Sequence, residues 1–136
     1  MSNALILLVE DNEDDVFLMK RAMKKAGLDF PLRVAANGQE ALDYLSFNGP
    51  FADAKNPPPS LVFLDLKLPY VHGFEVLRWI RENLPELPVV MLTSSNEERD
   101  RHLAAELGAV AYLVKPPVAE TLAETMRFLK APERKN

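Results

Sequence analysis

No cysteine occurs among the 136 residues. That excludes disulfides, thiolate metal centres and thiol chemistry, and it fits a reducing compartment. Long apolar runs are missing as well. The longest spans a handful of residues, far short of the ~20 needed to cross a bilayer, and Met1 to Leu5 lacks the basic start of an export signal. A cytoplasmic location without membrane contact is expected. An excess of positive charge is also lacking: 16 Lys and Arg against 20 Asp and Glu leave a formal net charge of -4. Nucleic-acid binding needs clustered cations to displace counterions, so no nucleic-acid partner is expected. Finally, no Gly- or Ser-rich loop follows the first apolar run. Glu10, Asp11, Asp14 and Asp15 stand there and would repel the phosphates that a dinucleotide- or flavin-binding loop cradles.

What is present is the composition of a folding domain: 48% hydrophobic and 26% charged residues, at about the length of one domain with one core. Ala4 to Val9 is an apolar run too short for a helix and ended by Glu10, Asp11 and Asn12, which predicts a buried strand. From Asp14 to Ala26, Val16, Met19, Met23 and Ala26 recur at helical spacing, and Gly27 supplies the stop. Leu32 to Ala35 predicts a second strand, Asn37 and Gly38 a turn, and Ala41, Leu42 and Leu45 a short helix. Residues 47 to 60 hold four of the eleven prolines and predict a long loop. Leu61 to Leu64 predicts a third strand and Gly73 to Leu84 a helix, with Trp79 at the edge of the core. Val89 to Leu92 predicts a fourth strand. Thr93 to Asn96 then reads as the cap of a polar helix that buries little, stopped by Gly108. Ala111 to Val114 predicts a fifth strand, and Val118, Leu122, Met126 and Leu129 stripe a final helix ahead of a frayed charged tail.

Strands alternating with amphipathic helices imply an α/β fold whose parallel sheet is doubly wound, with right-handed crossovers. Ligands of such sheets bind beyond the carboxyl ends of the strands. Glu10 and Asp11 end strand one, Asp65 ends strand three, Thr93 and Ser94 end strand four, and Lys115 ends strand five. Two carboxylates ~4 Å apart repel by about 4 kcal/mol at an effective dielectric near 20, so three converging acids call for a cation. Oxygen-only ligation suits Mg²⁺ better than zinc or copper. Lys115 adds a mobile point charge suited to phosphate, and Thr93 adds a hydroxyl. Together these groups could stabilise a phosphoryl group while the Asp65 carboxylate attacks it. Each piece alone has a plainer reading: a turn at Asp11-Asn12, a solvated strand end at Asp65, a cap at Thr93 to Asn96, a surface lysine at Lys115. Their coincidence at four strand ends, with complementary chemistry, favours the joint reading. His72 and His102 lie far apart without spaced partners, which argues against zinc.

At these residues the chain resembles the receiver domain of two-component response regulators. The carriers are LLVEDNEDD (Leu7 to Asp15), LVFLDLKLPYVHGFEVL (Leu61 to Leu77), PVVMLTSS (Pro88 to Ser95) and GAVAYLVKP (Gly108 to Pro116). The resemblance implies a five-stranded parallel sheet of flavodoxin-like, CheY-like type with strand order 2-1-3-4-5. It implies a single receiver domain over 1–136, with a core at 4–130 and a flexible tail at 131–136. Asp65 would be the phosphoacceptor. Glu10, Asp11, Asp65 and the backbone carbonyl of Lys67 would hold Mg²⁺. Lys115 would bind a phosphoryl oxygen, Thr93 would be the switch hydroxyl, and Tyr112 the aromatic that moves with it. Lys115-Pro116 would be cis. The implied function is a single-domain switch rather than an enzyme, phosphorylated by a sensor histidine kinase and signalling to a downstream protein. Its implied contact face, including for a homodimer, is helix 4, strand 5 and helix 5.

NGPFADAKNPPPSLVFLDLKLP more narrowly resembles single-domain regulators paired with bacterial phytochrome kinases. His72 departs from the family in standing where an acid is frequent, and Pro117 departs in doubling the proline after Lys115. A phosphatase of the haloacid dehalogenase type also attacks with a strand-end Asp, but it needs a second acid two residues on, where this chain has Lys67.

Overall fold

A computed structural model describes residues 4–46 and 58–129. The proline-rich stretch at 47–57 and the tail from 130 lie outside the described residues. Strands β1 (Ile6–Val9), β2 (Leu32–Ala35), β3 (Leu61–Leu64), β4 (Val89–Thr93) and β5 (Ala111–Val114) alternate with helices α1 (Glu13–Lys25), α2 (Gly38–Ser46), α3 (Gly73–Asn83), α4 (Glu98–Glu106) and α5 (Ala119–Thr125). The strands form one sheet in the order β2-β1-β3-β4-β5, and every pairing is parallel. This is the expected doubly wound sheet.

Successive side chains of a strand point to opposite faces, and both faces are covered, so β1, β3 and β4 can be apolar throughout. Leu7, Val9, Val62, Leu64, Val89 and Met91 pack on one face against Tyr44 and Leu45 of α2 and Val76, Leu77 and Ile80 of α3. Ile6, Leu8, Leu61, Phe63, Val90 and Leu92 pack on the other against Met19, Ala22 and Met23 of α1 and Leu122 of α5. Full burial contributes roughly 1.5–3 kcal/mol for each large side chain, which makes these two layers the main source of stability. Trp79 lies partly buried against the first layer, as its position on α3 predicts.

Sequence signals set the helix ends. Asn12 caps α1, its side-chain oxygen accepting from the Asp14 and Asp15 amides at 2.8 and 3.1 Å. Gly27, at φ 73°, takes the left-handed turn that ends the helix. Two expectations need correction. Thr93 to Asn96 is not the cap of α4: Thr93 belongs to β4, and Glu97 occupies the cap position without a side-chain bond. The final α-helix stops at Thr125, short of Met126 and Leu129. The buried Thr125 hydroxyl donates to the Leu122 carbonyl at 2.6 Å, and the chain tightens into a 3₁₀ turn over Met126–Phe128. Met126 and Leu129 still pack on the second layer, but from that turn and its end.

Parallel register decides where the site falls. Val9 is level with Leu64, so the next residues, Glu10 and Asp65, leave the sheet side by side. Strand β1 has β2 on one side and β3 on the other, the switch point at which a doubly wound sheet opens a crevice.

Candidate functional site

Glu10 continues β1 and is held by backbone and side chain alike. Its amide donates to the Ala35 carbonyl at 2.9 Å, and its Oε2 accepts from the Asn12 amide at 3.2 Å. Asp65 continues β3, its amide donating to the Val9 carbonyl at 3.3 Å. Asp11 follows Glu10 and is exposed, whereas Glu10 and Asp65 are buried. One carboxylate oxygen from each of the three lies within 4.8 Å of the others. Three of the four expected metal-binding residues are thus brought together by their side chains. The fourth, Lys67, follows Asp65 by two residues and has an exposed side chain.

Lys115 enters from the end of β5. Its amide donates to the Thr93 carbonyl at 2.8 Å, and Lys115-Pro116 is cis, as the resemblance implies. Its ammonium contacts Glu10 at 2.5 Å, Asp65 Oδ2 at 2.8 Å and Asp15 at 2.9 Å. Burial, which would lower its pKa, is outweighed by the hydrogen bonds it donates to Asp65, Glu10 and Asp15, so Lys115 stays charged well above the ordinary lysine range. Burial acts on Glu10 the other way and raises its pKa, even though Lys115 and the Asn12 amide favour its ionised form. Three carboxylates, those of Glu10, Asp15 and Asp65, contact this ammonium, and the Asp11 carboxylate lies beside two of them, Glu10 and Asp65.

Asp65 Oδ1 is buried without a hydrogen-bond partner among the described residues, while Oδ2 is held by Lys115. Leaving a buried carboxylate oxygen unpaired is costly. It is tolerable where a cation or an incoming electrophile completes the shell, and the three-acid cluster offers all-oxygen ligands of the kind Mg²⁺ takes. The residues therefore fit a hard divalent ion.

The neighbouring loops are tightly built. Gly73 donates to the Leu66 carbonyl at 2.8 Å, folding the loop after Asp65 back on itself. Within that loop Val71 donates to the Pro69 carbonyl at 2.8 Å across Tyr70, a γ-turn that puts Tyr70 at φ 69° and leaves it 88% exposed. His72, where an acid is frequent, caps α3: its Nδ1 accepts from the Phe74 amide at 3.1 Å. The departure therefore preserves an acceptor at the cap.

Thr93 is fully buried at the end of β4, and its hydroxyl accepts from the Ser95 amide at 3.4 Å. Tyr112 is half-buried, donating its hydroxyl to the Ser95 carbonyl at 2.9 Å, with the Arg101 guanidinium 4.8 Å from its ring centre. The sequence reading missed Asp15. It counted Asp15 only among four acids that would repel a phosphate-binding loop's ligand, although the cap at Asn12 sets the first turn of α1 and with it the side of the helix that Asp15 occupies. It also missed the link from the Ser95 hydroxyl to Asp100 at 2.6 Å, which ties the β4–α4 connection to α4.

A parallel sheet ordered 2-1-3-4-5, with an acidic cluster and a buried lysine at its carboxyl edge, defines the flavodoxin-like class in its CheY-like form. Within it, the chain belongs to the response regulator receiver domain family, whose model matches residues 6–127. The Probable methanogenesis regulatory protein FilR2 of Methanothrix harundinacea is 38% identical over 128 residues, covering 93% of this chain and 81% of that protein. The solved structure of the bacteriophytochrome response regulator AtBRR is 41% identical with a TM-score of 0.83, covering 98% of this chain and 96% of that one. The Mn²⁺-bound form of response regulator Rcp1 is 32% identical with a TM-score of 0.79, covering 98% and 99%. Other relatives, transcriptional regulators of alkaline phosphatase synthesis, are longer, and the chain spans 42–43% of their length. No helix among the described residues is long and apolar enough to cross a membrane.

Proposed function

We propose that this chain is a phosphoryl-accepting signalling switch, with Asp65 as the acceptor and a sensor histidine kinase as the donor. The observation that carries this reading is the state of the Asp65 carboxylate: Oδ2 is fixed by Lys115, and Oδ1 is buried without a partner among the described residues. In the reaction Asp65 Oδ1 attacks the phosphorus of a phosphohistidine. An O–P bond forms as the P–N bond breaks, and the imidazole nitrogen leaves with the electron pair and takes a proton from solvent. Lys115 binds a phosphoryl oxygen as negative charge collects there, and the Thr93 hydroxyl turns to donate to another. Bound Mg²⁺, held by Glu10, Asp11, Asp65 and the Lys67 carbonyl, would neutralise charge on the acids and the phosphoryl oxygens; the fit of the acid cluster and the Mn²⁺ bound by Rcp1 support this.

Movement of Thr93 frees Tyr112 from the Ser95 carbonyl, and the change passes to a downstream protein through α4, β5 and α5, the face also proposed for a homodimer. The chain acts as a switch that catalyses only its own phosphorylation and dephosphorylation, as a single receiver domain in the cytoplasm. The likeness to AtBRR supports a bacterial phytochrome as the kinase. Incubation with acetyl phosphate and Mg²⁺ followed by mass measurement tests the reading. One added phosphoryl group is expected, absent from Asp65→Asn; its persistence in that variant would move the acceptor elsewhere.

A further inference from the structure

An ammonium group has three N–H donors. Lys115 gives one to each of three carboxylates: Glu10 on β1's exit, Asp65 on β3's exit, and Asp15 in the first turn of α1. Glu10 and Asp65 belong to the cluster that fits a divalent ion; Asp15 does not. Resting on the phosphoacceptor reading, we propose that Asp15 is a positioning residue, the anchor that holds Lys115 at the mouth of the site while Glu10 and Asp65 turn to the metal.

The argument is one of competition. Lys115 is largely buried, its side chain 11% exposed, so its donors must be satisfied by protein groups. Were Glu10 and Asp65 its only partners, the ammonium would rest wholly on two carboxylates whose charge and orientation the metal also draws on. Asp15 supplies a partner outside the ligand set. It is suited to this by rigidity, because the Asn12 cap accepts from its own amide at 3.1 Å and fixes the turn that carries it. Its location also suits the role, since its side chain is 30% exposed at the rim, which leaves its remaining lone pairs open to solvent. Glu13 and Asp14, on the same turn, are exposed, and among the described residues neither forms an ion pair with Lys115.

Mg²⁺ affinity, measured by titration calorimetry on the full chain, tests this without any phosphorylation step. Wild type, Asp15→Asn, Asp15→Glu, Lys115→Met and the double variant Asp15→Asn/Lys115→Met are compared, with urea midpoints confirming that each folds. Asp15→Asn is expected to weaken Mg²⁺ binding roughly three- to tenfold, in the range of coupled neighbours, and Asp15→Glu to restore most of it. In the Lys115→Met background the same Asn substitution is expected to change affinity little, because the competing ammonium is gone. Asp15→Ser replaces Asp15→Asn if the latter unfolds. Equal affinity of Asp15→Asn and wild type overturns the inference. So does an equal loss with and without Lys115, which would mean that Asp15 acts only as a distant charge. No Mg²⁺ binding by wild type would instead remove the phosphoacceptor reading, and the inference with it.

Discussion

A β-carbon on Gly73 would lie 2.2 Å from the Asp65 carbonyl oxygen and 2.7 Å from Leu66 Cα. Both are backbone atoms of the segment that carries the acceptor, so neither can move without moving Asp65. Close approach, rather than an unusual dihedral angle, is why glycine stands here. Gly73→Ala is expected to destabilise the protein by about 1–3 kcal/mol, the range for overpacking a filled site, read from urea midpoints. The sequence marks Gly73 only as the start of a helix; the contact that forbids a side chain comes from a loop folded back eight residues. His72 gives the same lesson. As a letter it is a departure from the family, and only the 3.1 Å bond from the Phe74 amide shows that the cap function is kept. Asp15 was hidden for a related reason: its partner Lys115 is a hundred residues away in the chain.

Helix α4 is the least anchored of the five. Ala104 is its one buried residue, and the Arg99–Glu97 and His102–Glu106 ion pairs are exposed on both sides, where such pairs contribute little. This agrees with the thin apolar stripe of the sequence. What ties α4 to the site is polar: Ser95 to Asp100, Arg101 to Asn96, and the Arg101 guanidinium over Tyr112. Elements held by few apolar contacts are the ones that shift when a local bond changes. Amide hydrogen exchange over Glu98 to Glu106 is therefore expected to change on phosphorylation more than exchange in β1 or β3. An unchanged α4 in the phosphorylated protein would rule out repacking of this helix.

Across the whole molecule, base should weaken the fold. Lys115 is held above its ordinary pKa by its three carboxylates, so its stabilisation is complete below the unfolded value of 10.5 and is lost as pH rises beyond it. Burial raises Tyr44 and Tyr112 above 10.0, so the unfolded chain loses these protons first and stability again falls with rising pH. Urea midpoints of the metal-free protein are expected to drop between neutral pH and pH above 10. Tyr112→Phe, which cannot ionise, is expected to flatten part of that slope.

The order of strands and helices, the apolar layers and the identity of the strand-end acids are written in local pattern, because two- and 3.6-residue periodicities are properties of short segments. The alignment of Val9 with Leu64, the unpartnered oxygen of Asp65 and the three-way grip on Lys115 depend on which segments lie beside one another. Those relations were settled only by the folded sheet, since no short stretch of chain contains both sides of any of them.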